Sequence, residues 1–196
     1  IALTVSVHKI FASSASSRQI DAAGLWRHSL ACAVAAKVLM GNIHVEDAQQ
    51  AFLGGVLHDI GKVIIYSAFP KETTALNTHM RSAANLIEAE RALLGFTHAE
   101  VGALVSDLWH FPPSLIEMIQ YHHQPHVAKL NPRPVTAVHI GNEIVKAMAL
   151  GSSTVPQASD IDGTAWELLG IEATELPRIV TGIYRDFETA QALFAA

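Results

Sequence analysis

The sequence has few charged residues, one cysteine and no long apolar run, and each shortage excludes a class of protein. Charged residues make up 16% of the chain, and 13 Lys and Arg against 18 Asp and Glu give a net charge of −5. No overall positive field would therefore draw the chain to nucleic acid or to an anionic membrane. Cys32 has no second cysteine to pair with, which excludes an internal disulfide and fits a reducing compartment, so we expect a cytoplasmic location. No uninterrupted apolar run approaches the roughly 20 residues that span a bilayer, so we expect no membrane insertion.

The hydrophobic content is 50% of 196 residues, which is enough to bury a sizeable core and excludes global disorder. The opening stretch from Ile1 lacks the basic segment and cleavage pattern of a signal peptide, so we expect the chain to begin inside a larger protein. We expect a single helical domain over residues 1–196. Within it we expect a leading helix and a serine-rich break at 1–19, a core at 20–150 and C-terminal helices at 151–196.

Apolar residues recur at helical spacing along most of the chain, and the ends of these segments carry helix-capping residues. Asp21 is a candidate N-cap, Thr97 opens a Thr-x-x-Glu capping box, Pro113 suits the first turn of a helix, and Gly95 suits a helix end. The apolar segment 63–69 fits either a strand or a buried helix. The predicted helices are 21–41, 45–57, 77–94, 97–111, 113–123, 134–150, a short one around Trp166, and 174–194. No strand alternation or hairpin turn competes, so the sequence predicts an all-α bundle.

Eleven histidines are unusual in a chain with so few other cationic residues. Taken singly, His28 reads as a buried core residue, His98 as a surface residue, and His122 with His123 as a helix end. His58 is followed directly by a carboxylate, and imidazole with carboxylate is a ligand set that suits Fe, Mn, Zn or Ni. The joint occurrence of these residues predicts a site where their helices converge. The remaining histidines are assigned to surface or packing: His8, His44, His79, His110, His126 and His139.

The sequence also supports predictions for two other residues, Cys32 and Trp109. Cys32 lies one helical turn from His28, but its apolar helix offers no acid to orient a base, so we expect a buried thiol and not a nucleophile. Trp109 precedes Pro112 and Pro113, and we expect it to be buried beneath the turn that starts the next helix. Its replacement by Ala would then cost about 3–5 kcal/mol, as for other large buried aromatic residues.

Four motifs carry the histidines discussed above: WRHS at 26–29, GGVLHDIGK at 54–62, EAERALLGFTHAEVG at 88–102 and YHHQP at 121–125. Together they resemble the HDOD domain, an output domain of bacterial signalling proteins that is related to the HD-GYP phosphodiesterases. They occur in the family's order and the resemblance covers roughly residues 20–150. It implies a helical bundle of the HD type, in which an upstream part of the family's domain is mostly absent from this chain.

The resemblance also implies a metal-ligand set and shows where this chain departs from it. The implied ligands are His28, His58, Asp59, His98, His122, His123 and a late aspartate, in whose place this chain has Asn142. Lys62 is the implied contact to a phosphate group. A neutral amide weakens the site for a hard divalent cation. Gln124 replaces the acid that follows the double histidine in the HD-GYP enzymes, and no Gly-Tyr-Pro stretch follows it.

These features leave three functions open. The first is a non-enzymatic signalling output module with a degenerate metal site, which would contact protein partners and be joined in the full-length chain to a receiver or sensor domain. The second is a metal-dependent phosphohydrolase acting on a cyclic dinucleotide or another phosphoester, in which a metal-bound water would attack phosphorus. The third is a metal-binding sensor without catalysis. The metal would be Fe, Mn, Zn or Ni, and no nucleic-acid partner is expected.

Overall fold

The computed structural model describes residues 21–41, 45–79, 86–151, 161 and 163–194. Over these residues the chain forms ten α-helices and two short 3-10 helices, and no strand. The expected leading helix and serine-rich break at 1–19 lie outside the described residues. The α-helices are α1 (Ala22–Met40), α2 (Val45–Leu57), α3 (Ile60–Ala68), α4 (Pro70–His79), α5 (Leu86–Leu94), α6 (His98–Leu108), α7 (Pro113–Tyr121), α8 (Pro132–Ala147), α9 (Gly163–Leu169) and α10 (Leu176–Phe194). The 3-10 helices are Pro125–Val127 and Ala173–Glu175.

Helix α1 lies at the centre of the bundle and packs against α2, α8 and α10. Its alanine-rich middle lets neighbouring backbones approach closely, since a Cβ on Gly55 of α2 would overlap the backbone of Ala33. The second group of contacts joins α3 and α7 to α6. The largest fully buried side chains come from both groups and from α4: Leu30, Met40, Leu57, Ile60, Ile65, Leu76, Met118, Ile119, Ile140, Ile183 and Phe187.

Two predicted helix starts and one predicted helix end are local features that the structure confirms. The Asp21 carboxylate accepts a hydrogen bond from the Gly24 amide at 2.8 Å. Thr97 and Glu100 form both halves of the capping box at the start of α6. After α5, Gly95 takes a φ of +80°, a left-handed conformation that favours glycine.

Three predicted elements differ in their bounds or type. Segment 63–69, which fitted a strand or a helix, lies mostly in helix α3. The helix expected to start at residue 77 instead starts at Pro70 as α4, and the expected end at Leu94 is the end of α5. Residues 80–85, between α4 and α5, lie outside the described residues. Helix α7 ends at Tyr121, before the two histidines that were expected to continue it.

The expectation that Trp109 is buried is wrong. Its side chain is 44% exposed and packs edge-on against Phe111 with ring centroids 5.8 Å apart. Trp109 is the C-cap of α6, and the turn that follows is held by backbone bonds, including Phe111 N–H to the Ser106 carbonyl at 3.0 Å. Because the turn does not depend on the indole, the 3–5 kcal/mol cost of a buried aromatic does not apply here.

Among the described residues, the segment Glu46–Ala68 is long and apolar enough by length and composition to cross a membrane. In this structure 61% of its most apolar window is buried inside the protein. The segment is also two helices, α2 and α3, which meet at a turn over His58 and Asp59. Core helices of a folded bundle have the same composition, so the segment is weak evidence for a membrane span.

Candidate metal centre

Six side chains singled out by the sequence lie together in the interior, and four separate stretches of backbone carry them. One lies midway along α1, two lie in the turn between α2 and α3, one is the first residue of α6, and two follow α7. We call these residues the histidine cluster: His28, His58, Asp59, His98, His122 and His123. All are buried except His123, which is partly buried.

The imidazole rings of the cluster are in contact with one another. Ring centroids lie 5.4 Å apart for His28 and His58, 4.9 Å for His58 and His122, and 4.0 Å for His122 and His123. His98 lies 5.4 Å from His122 and 5.1 Å from His123. The expected convergence of these helices on one pocket is confirmed, while the binding of a metal there stays a prediction.

The carboxylate of Asp59 lies between two groups of imidazoles. Its Oδ2 lies 3.3 Å from His58 Nε2 and 3.7 Å from His28 Nε2. Its Oδ1 lies 3.2 Å from His98 Nε2 and 3.9 Å from His122 Nε2. Two sets of three residues each have ligand atoms within 4.8 Å of one another: His28, His58 and Asp59, and His98, His122 and His123.

Hydrogen bonds at Nδ1 orient three of the rings. His58 Nδ1 donates to the Gly55 carbonyl at 2.8 Å, and His122 Nδ1 donates to the Ile119 carbonyl at 2.8 Å. Because a carbonyl oxygen only accepts, each Nδ1 carries the hydrogen, and in a neutral ring Nε2 then carries a lone pair. Both lone pairs therefore face the centre of the cluster, as they do in histidines that ligate metals.

Glu90 orients the third ring and was not identified as a site residue from the sequence. Its fully buried carboxylate accepts hydrogen bonds from His98 Nδ1 at 2.8 and 3.0 Å and from the His98 backbone N–H at 2.8 Å. It thereby also satisfies a free amide at the start of α6. The one signal in the sequence was its place in the motif at 88–102. Its contact with His98 depends on how the chain turns back after Gly95.

Asn142 contacts the cluster through His28. His28 Nε2 donates to Asn142 Oδ1 at 3.0 Å, and Asn142 Nδ2 donates to Glu143 Oε1 at 3.3 Å. In this arrangement the Nε2 of His28 carries a hydrogen and the amide oxygen is engaged by it. Lys62, the implied phosphate contact, instead donates to Asp59 Oδ2 at 2.6 Å with its side chain 14% exposed.

Burial and the central carboxylate decide the charges in the cluster. Burial disfavours a charged His58, but Asp59 outweighs it and raises the pKa of His58 to about 10. Burial would raise the pKa of Asp59, yet His58 and Lys62 hold it well below its usual range. Burial lowers the pKa of His28 to about 3, against the opposing effect of Asp59. Burial also lowers the pKa values of His122 and His123, assisted by the neighbouring imidazoles. Burial thus favours the neutral forms of His28, His122 and His123, while Asp59 is the charged group that attracts a cation, either a proton on His58 or a metal ion.

Two buried polar atoms in the cluster have no hydrogen-bond partner, His58 Nε2 and Asp59 Oδ1. Buried polar atoms are usually paired, and leaving one unpaired is costly. A divalent cation would satisfy a nitrogen lone pair and a carboxylate oxygen together. Imidazole and carboxylate ligands suit Fe, Mn, Zn or Ni, so the residues present fit a metal ion.

The remaining histidines and Cys32 are placed largely as expected. His139 donates through Nδ1 to the His122 carbonyl at 2.8 Å, a packing contact that supports the cluster from α8. His110 and His126 are exposed. His8, His44 and the side chain of His79 lie outside the described residues. Cys32 is a buried free thiol, with Sγ 3.6 Å from the Val138 carbonyl.

A cavity of about 410 Å³ opens beside His123. It lies between the Pro125–Val127 turn, α8 and α9, and its lining includes His126, His139, Glu143 and Leu168. A small molecule in this cavity would contact His123, the least buried member of the cluster.

A sequence model of the HDOD domain matches residues 1–125 of the chain. The chain belongs to the HDOD family. The resemblance covered residues 20–150, whereas the match starts earlier, at residue 1, and stops earlier, at residue 125. The HDOD assignment therefore rests on the part of the chain that carries the cluster up to His123.

Solved structures share the fold of this HDOD domain. An HDOD domain protein with unknown function from Geobacter sulfurreducens has a TM-score of 0.75 at 19% identity, covering 92% of this chain and 67% of that one. A candidate phosphohydrolase from Shewanella amazonensis SB2B has a TM-score of 0.66 at 22% identity, covering 85% and 60%. A candidate signal transduction protein from Marinobacter aquaeolei VT8 has a TM-score of 0.73 at 18% identity, covering 86% and 38%. At these identities the likeness shows the fold alone.

A relative found by sequence is an uncharacterized protein of Treponema pallidum (strain Nichols), 25% identical over 100 residues. The match covers 49% of the HDOD chain and only 19% of the Treponema protein. The HDOD chain thus corresponds to a small part of that longer relative.

Proposed function

We propose that this HDOD domain is a non-enzymatic signal-transduction output module whose histidine cluster binds a divalent metal ion. The observation that carries the proposal is the burial of the ligand atoms. His58, His98 and His122 have no exposed surface and Asp59 is 1% exposed. Catalytic metal sites keep an open position for water or substrate, whereas closed sites serve structure. A buried site of this kind suits a module that changes helix packing and not a hydrolase.

In this proposal, the signal is transmitted by a change in the packing of the helices whose residues would bind the ion. Ligands come from the α2–α3 turn, from the start of α6 and from the end of α7, so an ion would cross-link three elements that are distant in sequence. Metal binding couples to folding because the ligands must be brought together and deprotonated. Protein partners in a cytoplasmic signalling pathway, and a receiver or sensor domain on a longer chain, would respond to that helix arrangement. The Marinobacter structure, described as a candidate signal transduction protein, supports this proposal.

A second candidate function is a metal-dependent phosphohydrolase acting on a cyclic dinucleotide or another phosphoester. The cavity beside His123 favours it, because it offers one approach to the cluster. Lys62 favours it as well, because its ammonium lies beside Asp59 and could steady a phosphate. The metal would supply a bound water acidic enough to act as a nucleophile. The Shewanella structure, described as a candidate phosphohydrolase, supports this alternative.

Hydrolysis assays separate the two candidates. The chain is loaded with Mn²⁺, or with Fe²⁺ without oxygen, and its metal content is measured. It is then assayed with cyclic dinucleotides and a generic phosphodiester. We expect metal uptake and no turnover above that of a His58→Ala variant. Turnover by the unmodified chain that disappears in both His58→Ala and Asp59→Ala would overturn the output-module proposal and establish a phosphohydrolase.

A further inference from the structure

The two oxygens of Asp59 have different surroundings. Oδ2 accepts a 2.6 Å hydrogen bond from the ammonium of Lys62, which lies one turn along α3. Oδ1 faces His98 Nε2 at 3.2 Å and has no hydrogen-bond partner. One oxygen is therefore already paired with a cation, and the other is not.

The imidazoles near Oδ2 and those near Oδ1 also differ in how many lone pairs they offer to a cation. On the Oδ2 side, His28 Nε2 donates its hydrogen to Asn142 Oδ1 at 3.0 Å, so this nitrogen offers no lone pair. His58 Nε2, 3.3 Å from Oδ2, is then the one unpaired ring nitrogen left on that side among the described residues. On the Oδ1 side, His98 Nε2 lies 3.4 Å from His122 Nε2 and 3.1 Å from His123 Nε2. The rings of His98 and His122 are oriented through Nδ1, so that their lone pairs meet there. A cation is the group that satisfies converging lone pairs.

The net charge of the site also favours one bound ion over two. Among the described residues, the carboxylates in direct contact are Asp59 within the cluster and Glu90, which bonds to His98, and Lys62 adds one positive charge. One divalent ion brings these groups to a net charge of +1, and two would bring them to +3. Asn142 contributes a neutral amide where an aspartate would add the missing negative charge. A charge excess in a buried site is strongly unfavourable.

We infer that the histidine cluster binds a single divalent ion, held by Asp59 Oδ1 and the Nε2 atoms of His98, His122 and His123. The ammonium of Lys62 takes the place of a second ion at Asp59 Oδ2, and Asn142 holds His28 as a hydrogen-bond donor on that side. Lys62 and Asn142 thus set the metal stoichiometry of the site. This inference rests on the proposed metal binding.

The test is metal stoichiometry. The 196-residue chain is stripped with a chelator, equilibrated with excess Mn²⁺ or Zn²⁺ and passed through a desalting column, and its bound metal is measured by elemental analysis. We expect one ion per chain in the unmodified protein. The double variant Lys62→Met/Asn142→Asp frees Asp59 Oδ2 and adds an anionic ligand, so we expect it to bind two.

Lys146→Met is the matched control. Lys146 donates to Glu143 at 2.7 Å with its side chain 18% exposed, in the same i,i+3 geometry as Lys62 and Asp59. We expect it to bind one ion. Circular dichroism checks the folding of every variant, and Lys62→Met and Asn142→Asp are measured singly in case the double variant does not fold. An increased second-ion occupancy in either single variant supports the inference.

Each contrary outcome has a distinct meaning. Two ions in the unmodified chain would overturn the inference and leave the proposed metal binding intact. One ion in the unmodified chain and in every folded variant would overturn the role of Lys62 and Asn142. No ion in any of them would overturn the proposed metal binding, and this inference with it.

Discussion

At the scale of single residues, three histidines of the cluster already donate hydrogen bonds through Nδ1. Backbone carbonyls accept from Nδ1 of His58 and His122, and the Glu90 carboxylate accepts from Nδ1 of His98. These bonds fix both the tautomer and the direction of each ring before any ligand arrives. Of the three acceptors, Glu90 is the one that a point mutation can change.

Glu90→Gln tests the orientation of His98. The amide keeps the size of the side chain and an acceptor oxygen but removes the charge that makes His98 a better ligand. Replacing such an outer partner of a metal ligand typically weakens metal binding about 10–100-fold. Titration calorimetry with Zn²⁺ measures the change. Glu88→Gln, at an exposed position on the same helix, should bind the metal as the unmodified chain does, and equal affinity in both variants would contradict the role of Glu90.

A second buried carboxylate, Glu117, acts at a distance from the cluster. It accepts hydrogen bonds from the backbone N–H groups of Lys129, Leu130 and Asn131 at 2.6–3.0 Å. These bonds hold the loop that leads into α8. Burial would raise its pKa, but the bonds from Leu130, Lys129 and Asn131 outweigh this effect and lower it.

The lowered pKa of Glu117 predicts a pH-dependent stability. Its contribution is full above the unfolded-state value of about 4.3 and is lost as the pH falls through the lower folded-state pKa. Glu117→Gln should lower the free energy of unfolding by about 1–3 kcal/mol at pH 7. Urea denaturation from pH 7 to pH 3 should show this difference shrinking below about pH 4. The exposed Glu188→Gln is the control, and a pH-independent difference would refute the assignment.

At the scale of helices, the site depends on how closely α3 approaches α6. Gly61 lies against the backbone of His98 and Gly102, and a Cβ at Gly61 would overlap the His98 carbonyl oxygen. This contact sets the distance between Asp59, just before α3, and His98, the first residue of α6. Two helices therefore position the cluster through backbone contact as well as through side chains.

Gly61→Ala should separate these helices. The added methyl meets backbone and not a flexible side chain, so we expect a loss of stability of about 1–3 kcal/mol or more, as for overpacked cores. Metal affinity should fall as well, because Asp59 moves relative to His98. The matched control is Gly163→Ala, since a Cβ at Gly163 meets nothing within 4 Å. Thermal denaturation and metal titration of both variants check the prediction, and an unchanged midpoint for Gly61→Ala would contradict it.

At the scale of the whole molecule, a central helix and two groups of neighbours enclose a polar centre within an apolar bundle. The core residues around it are almost completely buried, while His58 Nε2 and Asp59 Oδ1 have no hydrogen-bond partner. Because an ion bound to Asp59 Oδ1 and the neighbouring imidazoles would be held in the folded chain alone, metal binding should stabilise the fold.

Addition of metal should therefore raise the thermal midpoint of unfolding. At a free metal concentration 100 times the dissociation constant, the stabilisation is about 2.7 kcal/mol. For a chain of this size that corresponds to a rise of about 5–10 °C. Differential scanning calorimetry with and without Mn²⁺ measures it. A His98→Ala variant should show a much smaller rise, and an equal rise in both proteins would point to binding elsewhere.

The sequence by itself determined the helical class and most helix boundaries, because their causes are local. A cap such as Asp21 or the Thr97–Glu100 box bonds to amides within three residues, so its effect can be inferred from neighbouring letters. The set of histidines that converge was also inferred correctly, from their place in four motifs. What they bind was not determined by those motifs.

Only the tertiary structure decided how these residues are paired. Glu90 reaches His98 across the turn between α5 and α6, Asn142 reaches His28 from 114 positions away, and Trp109 is 44% exposed at the end of α6. Helical periodicity indicates which face of a helix is apolar, but not which neighbour covers it or which polar atom lies opposite. These contacts depend on the packing of distant helices, and they decide which oxygen of Asp59 pairs with Lys62 and which has no hydrogen-bond partner.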